Sequence, residues 1–495
     1  MNFTQVQSLK QRQNAGALVI PFWKGKKEAE AAADLDSLKA KVKEPIHERD
    51  FTGKEGEFLI LYVPGQPEAR IALLGLGSKE ELTVEKLRRA YSQATKGLRA
   101  KKVKDVNILM PCVPSLESEA LVRGIVEGLL LSNYTFSDLK GDSLKENPET
   151  FLEKVALIGA DKNGLAVANK YKSICQSVHY VRDLVNGNAD DITPQRLAAE
   201  AKDLQKHKKV KATIFDKKKI ASEKMGLLLA VNRGSALDPA FIILEYKGNP
   251  KSKDHTVLVG KGITFDTGGL NIKPTGGGME TMKGDMAGAA AVLGVIRAAA
   301  ELGLKVNVTG IIASTENSIG SKSYKPGDVY RSYAGKTVEI GNTDAEGRLI
   351  LADALAYAAN KLKPSRIIDL ATLTGAVEIA LGNEAMGLFS NNDALADSLI
   401  RASSETFERV WRLPLHEEYR DQLKSDVADI KNTGGRPGGS ITAAIFLQEF
   451  VGKELPWVHL DIANTAYLSE AKRYHPKHAT GSGVRLLVEF LEHIT

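Results

Sequence analysis

Short apolar runs alternate with longer helical patterns along almost the whole chain, and this alternation constrains the fold more than any other feature. Residues 17–20, 58–63, 71–74 and 106–110 are short and apolar, as strands are, while residues 84–98 and 117–131 carry helical spacing. The second half repeats the pattern. Residues 212–215, 241–246, 256–259, 306–312, 367–370 and 457–462 predict strands, and residues 287–301 and 349–359 predict helices. Strands and helices in alternation stack as α/β layers, because each element buries its apolar face against the other kind. A chain of 495 residues exceeds what one hydrophobic core usually organises, so two domains are expected. The expected class is α/β, with a smaller N-terminal mixed α/β domain over residues 1–160 and a linker helix over 161–180. A larger C-terminal domain over 181–495 is expected to have a mixed central sheet flanked by helices. Residues 170–186 carry the helical pattern of the link. Thr193-Pro194 opens a further helix, with threonine as cap and proline in first position. Residues 138–148 read as a polar loop, and the apolar tail 484–491 as core packing.

Within the larger half, the heptapeptide Asn342-Thr343-Asp344-Ala345-Glu346-Gly347-Arg348 concentrates charge. In an extended backbone side chains alternate faces, so Asp344, Glu346 and Arg348 are expected to point one way. Ala345 and Gly347 between them are small and leave room for something to approach. Two adjacent carboxylates repel unless a cation sits between them. Hard oxygen ligands beside a fixed positive charge suit a metal site that handles an anionic oxygen. Alone, such a motif reads as a turn with a surface salt bridge, but a second cluster upstream shifts the balance. Thr256-Val257-Leu258-Val259 reads as a buried strand with Gly260-Lys261-Gly262 at its end. Asp266, Lys273 and Asp285 follow in a stretch that includes Gly276-Gly277-Gly278. Glycines let a backbone bend sharply and a ligand come close. Loops after strand ends are the usual site in open α/β sheets.

Other chemistries find little support. No Gly-x-Ser-x-Gly elbow occurs, and Gly438-Gly439-Ser440 has different spacing. The two cysteines, Cys112 and Cys175, make neither a disulfide framework nor a thiolate cluster and predict a reducing compartment. No His-Glu-x-x-His occurs, and none of the nine histidines falls within the charged segments, so a metal site here must be carboxylate-rich. His459 is expected to be a core or supporting residue. Gly260-x-Gly262 lacks the third glycine of a dinucleotide fingerprint, because Phe265 stands there. The first residues lack the basic and apolar parts of a signal peptide, and no run of about 18 apolar residues occurs. A cytoplasmic protein without membrane association is therefore expected. Net charge is +6, with lysine runs over 24–27, 101–104, 206–211 and 217–219. A basic surface leaves an additional nucleic-acid-binding role open, although such runs more often form solvated faces. A metallohydrolase acting on phosphate esters is the rival reading of a carboxylate site for two cations.

The segments Val259-Gly260-Lys261-Gly262-Ile263-Thr264-Phe265-Asp266-Thr267-Gly268-Gly269 and 342–348 closely resemble the leucine aminopeptidase (cytosol aminopeptidase) family of two-metal exopeptidases. So do Met282-Lys283-Gly284-Asp285-Met286-Ala287-Gly288-Ala289-Ala290, Ala371-Thr372-Leu373-Thr374-Gly375-Ala376 and Arg182-Asp183-Leu184-Val185-Asn186. Gly439-Ser440-Ile441-Thr442-Ala443-Ala444 and Ala479-Thr480-Gly481 match as well. The resemblance runs in order through the larger half and is weaker over residues 1–160, where it carries no residue across. It implies a metal-dependent leucyl aminopeptidase that hydrolyses N-terminal residues from peptides, leucine and other apolar residues preferred. Two divalent cations per subunit, zinc or manganese, are implied at Lys261, Asp266, Asp285, Asp344 and Glu346, with Asp266 and Glu346 as bridges. Lys261 must then be a neutral amine, which burial and nearby cations favour. Lys273 is implied as the group that stabilises the oxyanion, and Arg348 as the holder of a bicarbonate that acts as general base. Met282, Thr372, Gly375 and Ala479 match positions that line the pocket for the first side chain. The segment from Lys273 to Asp285 is one residue longer than the family pattern. A homohexamer with inward-facing sites is implied too.

Overall fold

The computed structural model describes residues 1–274 and 276–494. They form two compact units: Met1–Gln176 with Glu470–Pro476, and Ser177–Ser469 with the chain from Lys477 onward. The first unit is built on strands β1 (Asn2–Val6), β2 (Ala17–Trp23), β3 (Glu30–Ala31), β4 (Phe58–Tyr62), β5 (Arg70–Gly75), β6 (Asp105–Leu109) and β7 (Lys154–Ile158). Six of them run in the order β1-β7-β6-β2-β5-β4, with β3 paired to β2. Neighbours are parallel except for β4 on β5 and β3 on β2. Central strand β2 reads ALVIPFW and is buried at every position, as a parallel strand covered on both faces must be. Helix α1 (Val84–Ala100) starts at Thr83, whose hydroxyl accepts from Lys86 N at 3.2 Å, and α2 (Ser118–Ser132) is tied to it by the buried Arg88–Glu127 ion pair. The polar stretch expected as a loop over 138–148 instead contains a turn of helix, Asp142–Glu146. Cys112 is exposed and Cys175 is buried. The expected link is part of a longer helix, α3 (Gly164–Asn186), and the division between the units falls inside it.

The second unit carries an eight-stranded sheet. Its strands are β8 (Val210–Phe215), β9 (Ala240–Lys247), β10 (Thr256–Asp266), β11 (Asn307–Asn317), β12 (Arg366–Ala371), β13 (Met386–Ser390), β14 (Val410–Arg412) and β15 (Trp457–Asp461). They lie in the order β14-β13-β15-β12-β10-β11-β9-β8. The four central strands β15, β12, β10 and β11 are parallel, and antiparallel pairings with β13 and β9 flank them. The carboxyl ends of the four central strands therefore lie along one edge, where open α/β sheets place their sites. Strand β10 runs well past the expected 256–259, so Lys261 sits inside it and not at its end. Short strands β13 and β14, and β1 and β7 of the first unit, were not expected.

Helix α4 (Pro194–Asp203) begins as expected, with the Thr193 hydroxyl accepting from Arg196 N at 3.2 Å. A short helix, α5 (Gly226–Asn232), follows. Helix α6 (Ala287–Leu302) opens AGAAAVLG and beds directly onto the sheet. A Cβ on Gly288 would stand 2.1 Å from Leu370 O, and one on Gly260 would stand 2.7 Å from Ala289 Cα. Only glycine permits an approach that close. Helix α7 (Gly347–Tyr357) is buried along its entire length, in a core with Val259, Ile311, Phe241 and Trp457. The expected C-terminal helix is present as α8 (Val484–His493), buried from Val484 to Leu491. Among the described residues no helix is long and apolar enough to cross a membrane. Within the lysine runs, Lys104, Lys206, Lys217 and Lys219 pair with Glu153, Asp203, Asp238 and Glu223.

Candidate metal centre

The heptapeptide is not extended. Asn342 to Glu346 form a turn that leads into α7, and Arg348 lies in the first turn of that helix. Strand alternation therefore does not apply to Asp344, Glu346 and Arg348. Asp344 and Glu346 converge all the same, because the turn folds them towards the end of β10. One oxygen from each of Asp266, Asp344 and Glu346 lies within 4.8 Å of the others. Asp266 reaches this face through an irregularity in β10, where the register against β11 shifts between Ile263 and Asp266. Lys261 and Asp266 are five apart, and in a regular strand they would point to opposite faces. The bulge re-aims Asp266.

Two lysines are threaded among the carboxylates. Lys261 Nζ bonds Asp285 Oδ1 at 2.7 Å, Glu346 Oε1 at 3.0 Å and Thr372 O at 2.8 Å. Lys273 Nζ bonds Asp344 Oδ1 at 2.6 Å and Asp266 Oδ2 at 2.9 Å. Asp266 Oδ1 accepts from Gly268 N at 2.9 Å and from Asn317 Nδ2 at 2.8 Å. Asn317 also donates to Thr343 O, as does the Tyr324 hydroxyl. Lys261, Asp266 and Glu346 are 2–3 % exposed, Asp285 is 5 %, and only Asp344 opens substantially to solvent. Arg348 Nη1 donates to Asn432 O at 2.8 Å, while its buried Nε has no partner. Gly347 is pressed against Lys261: a Cβ there would meet Lys261 Cε at 2.5 Å.

The electrostatics show what this pocket lacks. Four carboxylates, Asp266, Asp285, Asp344 and Glu346, face two lysines and Arg348. Burial pushes Asp285 up to about 7 and Glu346 up to about 8, with Asp266 adding to the rise in both. Burial, then Asp266, also raises Asp344. Burial pulls Lys261 down, but Asp285, Glu346 and Asp266 together outweigh it and hold the amine as an ammonium. Burial lowers Arg348 to about 10 against the pull of Glu346 and Asp461. Buried carboxylates that favour a proton are carboxylates short of positive charge. Two of their buried oxygens, Asp285 Oδ2 and Glu346 Oε2, have no hydrogen-bond partner. Orphaned buried oxygens beside converging carboxylates fit divalent cations, and added cations would also favour Lys261 as a neutral amine.

The positions expected around the substrate fall differently. Thr372 joins the cluster directly, its hydroxyl donating to Asp285 Oδ1 at 2.7 Å. Met282 is half-buried in the 3-10 turn Met279–Gly284 just before Asp285. Gly375 is exposed at the start of a short helix, Gly375–Leu381, with open space where a Cβ would stand. Ala479 is fully buried, its amide donating to Asn186 Oδ1 at 3.1 Å. His459 is buried and bonded through Nδ1 to Asp369 Oδ1 at 2.6 Å, so it supports the sheet as expected. Asn317, Thr343, Asn432 and Asp461 were missed. Asn317, Asn432 and Asp461 come from strand ends and turns far away in sequence and no local motif marks them, while Thr343 lies within the 342–348 heptapeptide beside the charged residues that drew the reading.

Carboxylates, a buried lysine and orphaned oxygens at the carboxyl ends of the central parallel strands of a mixed sheet make up a hydrolase-type site suited to divalent cations. Residues 179–488 match the cytosol aminopeptidase family, catalytic domain, and residues 19–143 match the N-terminal domain of the same family. A probable cytosol aminopeptidase of Protochlamydia amoebophila is 57% identical over 496 residues, covering 100% of this chain and 99% of that one. One from Chlamydia trachomatis serovar D is 49% identical, covering 97% of each. A mutant of tomato leucine aminopeptidase superposes with a TM-score of 0.87 at 33% identity, covering 99% of this chain and 96% of that one. The bottromycin maturation enzyme BotP in complex with Mn gives a TM-score of 0.86 at 30% identity, covering 97% and 99%. The chain belongs to the cytosol aminopeptidase family and is a metal-dependent aminopeptidase, a metalloexopeptidase.

Proposed function

We propose that the site releases leucine and other apolar residues from peptide N-termini with two divalent cations, zinc or manganese. The observation that carries this reading is the pair of orphaned buried oxygens, Asp285 Oδ2 and Glu346 Oε2, beside the Asp266–Asp344–Glu346 convergence. Asp266, Asp344 and Glu346 would hold one or both cations, and Asp285 and Lys261 would complete the second position. When bound, such cations polarise a carbonyl and lower the pKa of water. Lys273 has three N–H donors, of which two go to Asp266 and Asp344. The third is available to a scissile carbonyl oxygen as negative charge builds on it. Arg348 holds a bicarbonate ion, for which its partnerless Nε and its place in the first turn of α7 are suited. Bound there, a bicarbonate would supply a general base for the attacking water, and Arg348 would hold and orient it. A free α-amine is a good metal ligand and an internal peptide nitrogen is not, so the site selects chain ends. Met282, Thr372 and Gly375 line the space for the first side chain, and Ala479, fully buried, lies behind it. The protein works in the cytoplasm as a homohexamer. The exposed side chains of Ile379, Trp411 and Val427 suit a surface that assembly covers, and a sedimentation value for a stable monomer would count against it.

Leucine p-nitroanilide turnover tests the chemistry. Protein stripped of metal should be inactive and should recover with manganese or zinc. Glu346→Ala should not recover, and an N-acetylated substrate should not be cleaved. Turnover of p-nitrophenyl phosphate in place of the amide would overturn the reading in favour of phosphate-ester hydrolysis.

A further inference from the structure

Thr372 touches both residues assigned above to the second cation position. Its carbonyl accepts from Lys261 Nζ at 2.8 Å, and its hydroxyl donates to Asp285 Oδ1 at 2.7 Å. Its own backbone is held from both sides. Ala371 closes β12 opposite Asp461 of β15, and Ile462 N donates to Ala371 O at 2.8 Å. Asp461 is fully buried. Its Oδ1 accepts from Leu373 N at 3.1 Å and from Ala463 N at 3.2 Å, and its Oδ2 accepts from the Thr374 hydroxyl at 2.6 Å. The Thr374 oxygen in turn accepts from Val377 N at 3.2 Å and caps the helix Gly375–Leu381. One carboxylate thus grips the two residues that follow Thr372 and anchors them to the neighbouring strand. None of these bonds reaches a proposed ligand directly.

We propose that Asp461 is a positioning residue for the Lys261–Asp285 half of the cation site, acting through the Leu373–Thr374 turn; the inference rests on the two-cation reading above. Asp461 also lies within electrostatic reach of Arg348, so the mechanical route must be separated from a charge effect. Asparagine makes the separation. It keeps an acceptor for Leu373 N and Ala463 N, and its amide N–H can donate to the Thr374 oxygen, so the turn stays while the charge goes. Alanine removes both. Supporting groups that orient metal ligands change metal affinity by about 10–100-fold when lost.

Manganese is titrated calorimetrically into metal-stripped, full-length wild type, Asp461→Asn and Asp461→Ala, with circular dichroism recorded on each. Wild type should bind two ions. Asp461→Ala should bind one normally and the other about 10–100-fold more weakly, while Asp461→Asn should retain both to within a few-fold. Thr374→Val removes only the hydroxyl anchor, serves if the alanine variant does not fold, and should weaken the same ion. A folded Asp461→Ala or Thr374→Val with two wild-type affinities overturns the inference. So does an Asp461→Asn that loses as much as alanine, because charge would then be the route. Wild type that binds fewer than two ions overturns the two-cation reading itself, and is distinguished by appearing without any substitution.

Discussion

Gly347→Ala adds a single carbon at the point where α7 meets the cation site. The added Cβ would stand 2.5 Å from Cε, 2.7 Å from Nζ and 2.9 Å from Cδ of Lys261. Non-bonded carbons settle at about 3.5–4.0 Å, so the lysine must retreat by about 1 Å. Its ammonium is held at 2.7, 2.8 and 3.0 Å by Asp285, Thr372 and Glu346, and a shift of that size breaks at least one of these bonds. The helix itself does not object. Gly347 has no positive φ, and alanine is the better helix former by up to about 1 kcal/mol. The helix gain therefore offsets only part of the cost of overpacking the buried lysine, about 1–3 kcal/mol, and the fold should persist while the site is disturbed. A misplacement of about 1 Å costs roughly 100-fold in rate, equivalent to about 2.7 kcal/mol of barrier. The assay is kcat/KM on leucine p-nitroanilide, read beside a manganese titration and a thermal melt. A folded Gly347→Ala with wild-type kcat/KM and wild-type affinity for two ions would refute the reasoning.

Asn317→Ala should lower kcat/KM by about 10–100-fold, because Asp266 loses the amide that orients it; an unchanged value would show that Gly268 N alone suffices. Asp353→Ala should cost about 3 kcal/mol or more in a urea melt. It strips the acceptor from Leu227 N at 2.9 Å, Leu228 N at 3.0 Å and Tyr333 N at 2.7 Å, all tied to one buried carboxylate. A loss below about 1 kcal/mol would mean that water replaces it. His255 is held below its ordinary pKa by burial, so the folded chain binds that proton less readily than the unfolded one. Its contribution to stability is then complete above about pH 6.5 and is lost as the pH falls below that value. His255→Gln should flatten that part of the wild-type slope of urea midpoint against pH, and parallel slopes would refute the assignment.

Much of the second unit was legible because its strands and helices carry their own periodicity. Strands β9, β10, β11, β12 and β15 and helices α6 and α7 all overlap the stretches expected from apolar spacing. Helix and strand ends were less legible, since they depend on neighbours: β10 continues to Asp266 because β11 pairs with it that far. Strand β14, three residues long, is too short to show a period, and it, β1 and β13 exist because a sheet offers them partners.

A carboxylate-rich site followed from residue types, since carboxylates and lysines set among glycines are chemistry that packing alone would not select, while the proposed ligand set came from the resemblance to the aminopeptidase family. How they come together did not follow. The smallness of Gly347, read as room for a ligand, is filled by the chain's own Lys261. Asp266 shares a face with Lys261 only through a register shift between β10 and β11, and Asn317, Asn432 and Asp461 join from distant segments. Residue type and local period are properties of the chain itself, so the sequence by itself determined the fold class and the chemistry of the donors. Distance, burial and unsatisfied charge are properties of segments brought together, and only the closed tertiary structure decided them.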